Sequence, residues 1–436
     1  MRTTVIFLFL IASLQCVSAS RLVWSSSSRQ VISVEAPTGS GLDEICVIPG
    51  VDGVTVSYQP AGGNPQQVRW YRYSSLGGGY AEEVFGSTDG DLSRLVSLEG
   101  DMGYIVEEGT QRYCFWVVDY SKHPYSLTAL TESPEQECGR VALDVAGSAD
   151  EIVYYSINGR RMVLSREIVV DYNTLKYDDD AADYRQTAES EILTHFTTTL
   201  HLPAPLCQTD FTVTGDRFLR QWGMADVYTS PSFAPRSVSC HTVAEQTQRD
   251  ADNEIGTASG GDGLGGSAPC EVRFQAAVTD AAIFREWQFS RYPEFDDITL
   301  RVSDLDFTHT FTEQGTEYVR FYCANADASC EEYGTTYEIS IGTSTLKCPN
   351  AFSPLNEDGV NDVWKVSYAS IVSFKCSIFN RFGREIISFT NPADGWDGRY
   401  GGKFVPAGVY YYVIKARGAD GRDYDLSGDI NIVDYK

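Results

Sequence analysis

The run "VYYYVIKA" at 409–416 constrains this chain more than any other stretch. Aromatic and β-branched residues follow one another without a break, with Pro406 and Gly408 ahead of them and Gly418 and Gly421 behind. That composition suits a pleated, half-buried surface and that punctuation supplies turns, so the stretch is predicted to be a strand between two turns. Chain ends fray unless something ties them down, and a C-terminus written as a strand is therefore expected to be folded and used. The same grammar recurs upstream. "EICVIPG" (44–50), "QVRWYRYS" (67–74), "QRYCFWVVDYS" (111–121), "RVALDVAG" (140–147) and "HFTTTLHLP" (195–203) all read as strands, and Asn158-Gly159 supplies the positive φ angles of a tight hairpin. The expected class is all-β, in tandem sandwiches.

The other end of the chain carries an address. One Arg precedes an apolar run over 5–14, and Val17 and Ala19 stand where a signal peptidase reads, so cleavage is predicted after Ala19 and the signal peptide is residues 1–19. Gln15 is bulky where a lipoprotein site takes a small residue, which disfavours anchoring through Cys16. The apolar run is too short to span a bilayer, so the chain is not expected to be an integral membrane protein. Of eleven cysteines, ten remain once Cys16 is removed, an even number with no C-x-x-C spacing. In an exported chain that pattern predicts disulfides, with connectivity left open. Sixty Asp and Glu against 34 Lys and Arg give a formal net charge of −26, which repels phosphate backbones and excludes nucleic acid as an expected partner.

In the first unit, 20–137, Cys46, Trp70 and Cys114 fall in the order of an immunoglobulin-like sandwich, where a disulfide joins two sheets and a Trp packs on it. A Cys46–Cys114 bridge is the expectation, although Arg112 stands where that fold puts its tyrosine. The second unit, 138–245, is read as mostly β and of open type. Within it "TLKYDDDAADYRQTAESEIL" (174–193) reads as a short helix or an exposed loop. The segment 246–269 lacks apolar periodicity and is glycine-rich, hence a loop or linker. Its Gly261-x-Gly263-x-x-Gly266 has the spacing of a dinucleotide turn but neither the strand before nor the helix after, so no nucleotide is expected.

Two stretches resemble known families. "VRFQA", "REWQFS" around Trp287 and Phe289, and "HTFTEQGTEYVRFYCAN" resemble the β-sandwich domains named for polycystic kidney disease protein, so 246–347 is read as linker plus PKD-like sandwich. Ser290-Arg291-Tyr292 replaces that family's Gly-Asp-Gly, and no ligand site is carried over. Alternation places Cys270, Val272 and Phe274 on one core face, and Val319, Phe321 and Cys323 on another. Residues 348–436 closely resemble the gliding-motility-associated C-terminal domain, the type B sorting domain of type IX secretion cargo. The resemblance rests on Pro349-Asn350-Ala351-Phe352-Ser353-Pro354, Gly359-Val360-Asn361-Asp362, Ile378-Phe379-Asn380-Arg381-Phe382-Gly383, Gly395-Trp396-Asp397-Gly398, Pro406-Ala407-Gly408-Val409-Tyr410 and Gly428-Asp429-Ile430. Phe382 stands where the family has Trp and is expected to plug the same space; Leu355 to Asp358 lengthen the opening turn by one residue. The resemblance implies an immunoglobulin-like domain recognised by the outer-membrane type IX translocon after passage through the periplasm, leaving the chain on the outer surface or secreted. Within this domain Cys348 and Cys376 are expected to pair, stapling the opening strand to the one leading into "SIFNRFG".

Chemistry is sparse. The five histidines form no metal pattern and no nucleophile elbow occurs. "NEDGVND" sets Asn356, Asp358, Asn361 and Asp362 around Gly359 like a calcium loop, but the later bidentate Glu has no counterpart. The first reading of that loop is a polar turn with no cofactor, and calcium is the alternative. The expected function is a non-catalytic binding, adhesion or structural role at the cell surface, toward a glycan or host protein. The rival is a secreted glycan- or peptide-degrading hydrolase sited in the middle unit; acidic pairs such as Asp296-Asp297 and Glu331-Glu332 are abundant, and a glycosidase pair could hide among them.

Overall fold

The computed structural model describes residues 20–26, 29–249, 251–261, 263–356 and 358–433; the signal peptide read at 1–19 lies outside them. Strands dominate, and among the described residues the one α-helix is the short Arg217–Gln221. Two compact units emerge: 1–172 with 188–203 and 210–233, and 173–187 with 204–209 and 234–436.

The N-terminal unit opens with a sandwich. One sheet orders Leu22–Ser26, Val54–Tyr58, Leu92–Leu95 and Gly86–Asp89; the other orders Ile32–Glu35, Glu44–Ile48, Gln111–Asp119, Met102–Glu108, Val68–Tyr73 and Glu82–Val84. Between them lie Cys46, Val56, Tyr58, Trp70, Tyr104 and Phe115, and Trp70 Nε1 donates to Ser93 Oγ at 3.0 Å. The strand Glu44–Ile48 is buried along its whole length because the outer face of its sheet is covered too. There Ile45, Val47, Trp116 and Val118 pack with Ile152, Tyr154, Leu164 and Phe218.

This double burial overturns the Cys46–Cys114 bridge. The strands Glu44–Ile48 and Gln111–Asp119 are parallel neighbours with Cys46 opposite Val117, and Cys114 accepts at its carbonyl from the Asp43 amide. Cys46 points into the sandwich interior and Cys114 into the outer cluster, so both are free thiols. Adjacent strands in one sheet cannot supply a bond across two sheets.

The rest of this unit packs the sheet Tyr125–Glu132, Arg140–Ala149, Thr199–Pro203 around a core with Ile168, Val170, Phe211 and Val213. The acidic stretch expected as helix or loop is instead a pair of long strands, Ile168–Asp178 and Asp183–Leu193, joined at an Asp-rich turn. The second strand alternates half-buried and exposed positions, the two-residue period of a sheet.

In the C-terminal unit, a sandwich begins at Cys240, ahead of the boundary read from composition. Cys240–Gln246, Cys270–Val278 and Asp306–Phe311 form one sheet; Leu264–Gly266, Tyr337–Ile341, Gly315–Ala324, Phe284–Ser290 and Ile298–Val302 the other, with Glu331–Tyr333 paired to Gly315–Ala324. Phe274, Trp287, Phe289, Phe321 and Cys323 fill the space between, as the alternation predicts. The glycine-rich segment is not a free tether. Ile255 N donates to Tyr368 O at 2.7 Å, Tyr368 N to Asn253 O at 3.1 Å, Asn253 Nδ2 to Val366 O at 2.7 Å, and Ser370 N to Ser267 Oγ at 2.7 Å. Those backbone groups need partners, and the last domain supplies them.

That last domain centres on a sheet ordered Ala351–Phe352, Asp423–Ile432, Gly408–Gly418, Ile371–Phe379, Glu385–Phe389. Tyr410 and Ile414 face its core and Tyr411 faces out, 47% exposed.

Candidate functional site: the C-terminal domain

The sequence motifs of this domain are the places where its aromatic core is tied to its turns. Trp364 and Trp396 face each other across a two-residue ladder, Trp364–Lys365 against Gly395–Trp396. Trp364 Nε1 donates to Pro349 O at 2.7 Å, Trp396 Nε1 to Arg399 O at 2.9 Å, and Tyr410 Oη to Pro406 O at 3.1 Å. Each buried polar hydrogen is thus satisfied by a backbone carbonyl. Phe352 and Tyr410 pack against Trp396 at 5.4 and 5.1 Å between ring centroids. The opening "PNAF", the "GWDG" turn and "PAGVY" therefore lock one another.

Cys348 and Cys376 are brought together. Both belong to this core, Tyr412 hydrogen-bonds Cys348, and burial together with the neighbouring Cys348 pushes the Cys376 thiol up to about 12. They stand as free thiols here, side by side.

The "NEDGVND" loop turns on itself. Asp358 Oδ1 accepts from Val360 N at 2.9 Å, Asp358 Oδ2 from Asn356 Nδ2 at 2.9 Å, and Asp362 Oδ2 from Gly359 N at 2.8 Å. Asn361 has φ 55° and Gly359 φ 83°, the left-handed conformations that short polar side chains and glycine accept. Three carboxylate oxygens are already engaged by the loop's own donors, the arrangement of an Asx turn. Glu357 lies outside the described residues.

The most distinctive surface was missed in the sequence. Phe382, expected as a buried plug, is 79% exposed at the tip of the hairpin that joins Ile371–Phe379 to Glu385–Phe389. Asn380 Oδ1 accepts from the amides of Phe382 and Arg384 at 2.9 and 3.1 Å and so pins the tip outward. Arg381 lies over the Phe382 ring at 4.8 Å. Arg384 donates to Tyr400 Oη at 2.7 Å, and Arg399 lies over Phe404 at 4.0 Å. Arginines and exposed aromatics gather here on a chain of net charge −26. A signal for this surface existed: Arg and aromatic residues cluster at 379–384 and again at 399–404, beside turn glycines.

Elsewhere, an open groove of about 690 Å³ is lined by Ile283, Phe284, Arg285, Glu286, Ser303 and Tyr322. Its carboxylate, Glu286, is engaged by Arg301 and by Gln288. Asp296, Asp297, Glu331 and Glu332 are not among its lining residues. The histidines are spread apart: His241 stacks on Tyr177, His123 contacts Asp101 at 3.0 Å, and His309 packs between Phe289 and Phe311.

Comparisons with known proteins bear on two stretches. A fibronectin type III domain family matches residues 130–230, which covers most of the unit left open from sequence. No curated protein matches. Solved structures align loosely. A tetra-tandem repeat from the extending region of a large adhesion protein is 10% identical, covering 89% of this chain and 99% of that one at TM-score 0.22. The FN1–FN3 domains of chicken CNTN1 are 9% identical, covering 71% and 98% at TM-score 0.23. Dimeric latent PorU from Porphyromonas gingivalis is 10% identical, covering 74% and 35% at TM-score 0.16. The CHU_C type IX secretion signal domain family matches residues 346–431. The chain is an exported multi-domain β protein that carries this type IX secretion signal domain at its C-terminus, behind a fibronectin type III domain.

Proposed function

We propose that the sandwiches ahead of residue 348 form a non-catalytic binding, adhesion or structural module, and that the C-terminal domain carries it across the outer membrane by presenting its arginine–aromatic end to the type IX translocon. The observation that carries this reading is the secretion-signal match over 346–431 on a domain whose matching motifs form one locked core. A pre-formed surface gives contacts without the cost of ordering a tail at the moment of docking. Exposed Arg and aromatic side chains are the residue types that dominate interface energetics. Arg381, Phe382, Arg384, Tyr400 and Phe404 supply that composition at one end of the domain. The module is proposed to meet a glycan or a host protein outside the cell, and the route runs through the periplasm. No calcium is assigned to the "NEDGVND" loop, three of whose carboxylate oxygens accept from its own donors.

The test uses the full chain with Arg381→Glu and Phe382→Asp together. Both positions are at an exposed tip, so the fold is expected to persist by circular dichroism. The surface fraction should fall at least tenfold, with the chain accumulating in the periplasm. A folded variant that reaches the outer surface at the wild-type level sinks the docking assignment. If a chain lacking 348–436 also reaches the surface, the domain is ordinary structure.

A further inference from the structure

We propose that Cys240 and Cys323 form a disulfide that joins the two sheets of the C-terminal unit's first sandwich. The two residues come from opposite sheets: Cys240 opens the strand Cys240–Gln246, and Cys323 lies in Gly315–Ala324. Cys323 is fully buried in the core between the sheets and Cys240 packs against that core. Their thiols are in hydrogen-bond contact.

Independent contacts hold the two strands at this spacing. Glu332 pairs with Cys323 in the ladder between Gly315–Ala324 and Glu331–Tyr333, while its carboxylate accepts from the backbone amide of Cys240. Ser239 Oγ also donates to Glu332 Oε1, at 3.4 Å. Two residues along from Cys240, Thr242 Oγ1 accepts from Tyr337 Oη at 3.0 Å. Gly334 is needed there, since a Cβ would lie 2.8 Å from the Thr242 methyl. Trp287, fully buried beside Phe321, completes in space the order of cysteine, tryptophan, cysteine that the chain shows only in sequence at Cys46, Trp70 and Cys114. In an immunoglobulin-like sandwich that constellation spans the two sheets.

The thiols differ in accessibility, and that difference sets the order of bond formation. Cys240 is the partly exposed member and Cys323 the enclosed one. The co-reactant is a small or protein disulfide of the oxidised glutathione type. Cys240 loses its proton and attacks that disulfide, forming a mixed disulfide and releasing one thiol. The Cys323 thiolate then attacks the Cys240 sulfur and expels the second thiol. Two S–H bonds and one donor S–S bond are consumed; one protein S–S bond and two donor thiols are formed. The protein is oxidised by two electrons and the donor reduced by two.

The full-length chain, purified reduced, is incubated with oxidised glutathione, alkylated without reductant and mapped by peptide mass spectrometry. The expected product is a cross-linked peptide joining Cys240 to Cys323, two hydrogens lighter than the separate peptides, with both cysteines alkylated only after reduction. Cys323→Ser should trap Cys240 as a glutathione adduct, and Cys240→Ser should leave Cys323 unmodified. Wild-type protein in which both thiols alkylate after oxidation, or in which Cys240 is joined to any other cysteine, overturns the assignment without reliance on a variant's folding.

Discussion

Arg166 Nη1 meets Asp216 Oδ2 at 2.7 Å in the interior of the N-terminal unit, where the two side chains are 4% and 0% exposed. Both side chains are tied further into their surroundings. Tyr120 Oη donates to the same carboxylate oxygen at 2.8 Å, and the other oxygen caps the helix Arg217–Gln221 by accepting from Phe218 N and Leu219 N. The guanidinium also donates to the carbonyls of Asp150 and His123. Removing one member leaves a buried charge uncompensated. Arg166→Met alone should therefore cost about 3–5 kcal/mol in urea unfolding. A loss below ~1 kcal/mol would mean that water relieves Asp216.

The alternation at 409–413 yields an asymmetric pair of variants. Tyr410→Asp places a carboxylate against Trp396 and should destabilise the chain by about 3–5 kcal/mol, the scale of deleting a buried aromatic. Tyr411→Asp, on the outer face, should stay within ~0.5 kcal/mol of wild type. Equal effects in thermal denaturation would contradict the register.

Cys348 and Cys376 are already neighbours, and we propose that they pair under oxidising conditions. In the chain-entropy account, closing this loop is worth about 3–4 kcal/mol. The reduced protein or the double Ser variant should accordingly melt several degrees below the oxidised one. Identical melting of oxidised and reduced chains would argue that the thiols stay free.

Burial between Phe289 and Phe311 lowers the basicity of His309. The unfolded chain then takes up a proton near pH 6.5 that the folded chain declines, so stability is lost as pH falls from about 7 toward 5. His309→Gln should flatten that part of the profile in denaturant titrations at pH 7.5 and 5.5. An unchanged slope would place the acid sensitivity elsewhere.

The "NEDGVND" loop closes on its own amides, and millimolar calcium should leave the melting temperature of the full chain unchanged relative to chelator. A rise of several degrees would show that Asp358 and Asp362 exchange those bonds for a cation.

Period-two patterning made much of this legible. Val272 and Phe274, and Val319, Phe321 and Cys323, lie on the core faces their spacing assigns. What it could not carry is which strands become neighbours. Cys46 and Cys114 flank a buried tryptophan in sequence, yet they occupy parallel adjacent strands and opposite faces, while the pair in contact across a sandwich is Cys240 and Cys323. Phe382 misled for a related reason: an aromatic in a motif looks like core, but Asn380 turns the tip into solvent. The acidic stretch before Leu193 read as helix or loop because its charges hide a strand's alternation. Polar backbone pairing such as Ile255 with Tyr368 leaves no hydrophobic trace at all.

That pairing has a practical corollary for anyone grafting this signal onto foreign cargo. A cassette cut at residue 348 would strip Asn253 from Val366 and Pro392, Ile255 from Tyr368 and Ser267 from Ser370. The passenger would be joined to a surface with severed hydrogen bonds, prone to stick or fray. A splice placed ahead of Cys240 would move the signal together with the sandwich and strap that finish it.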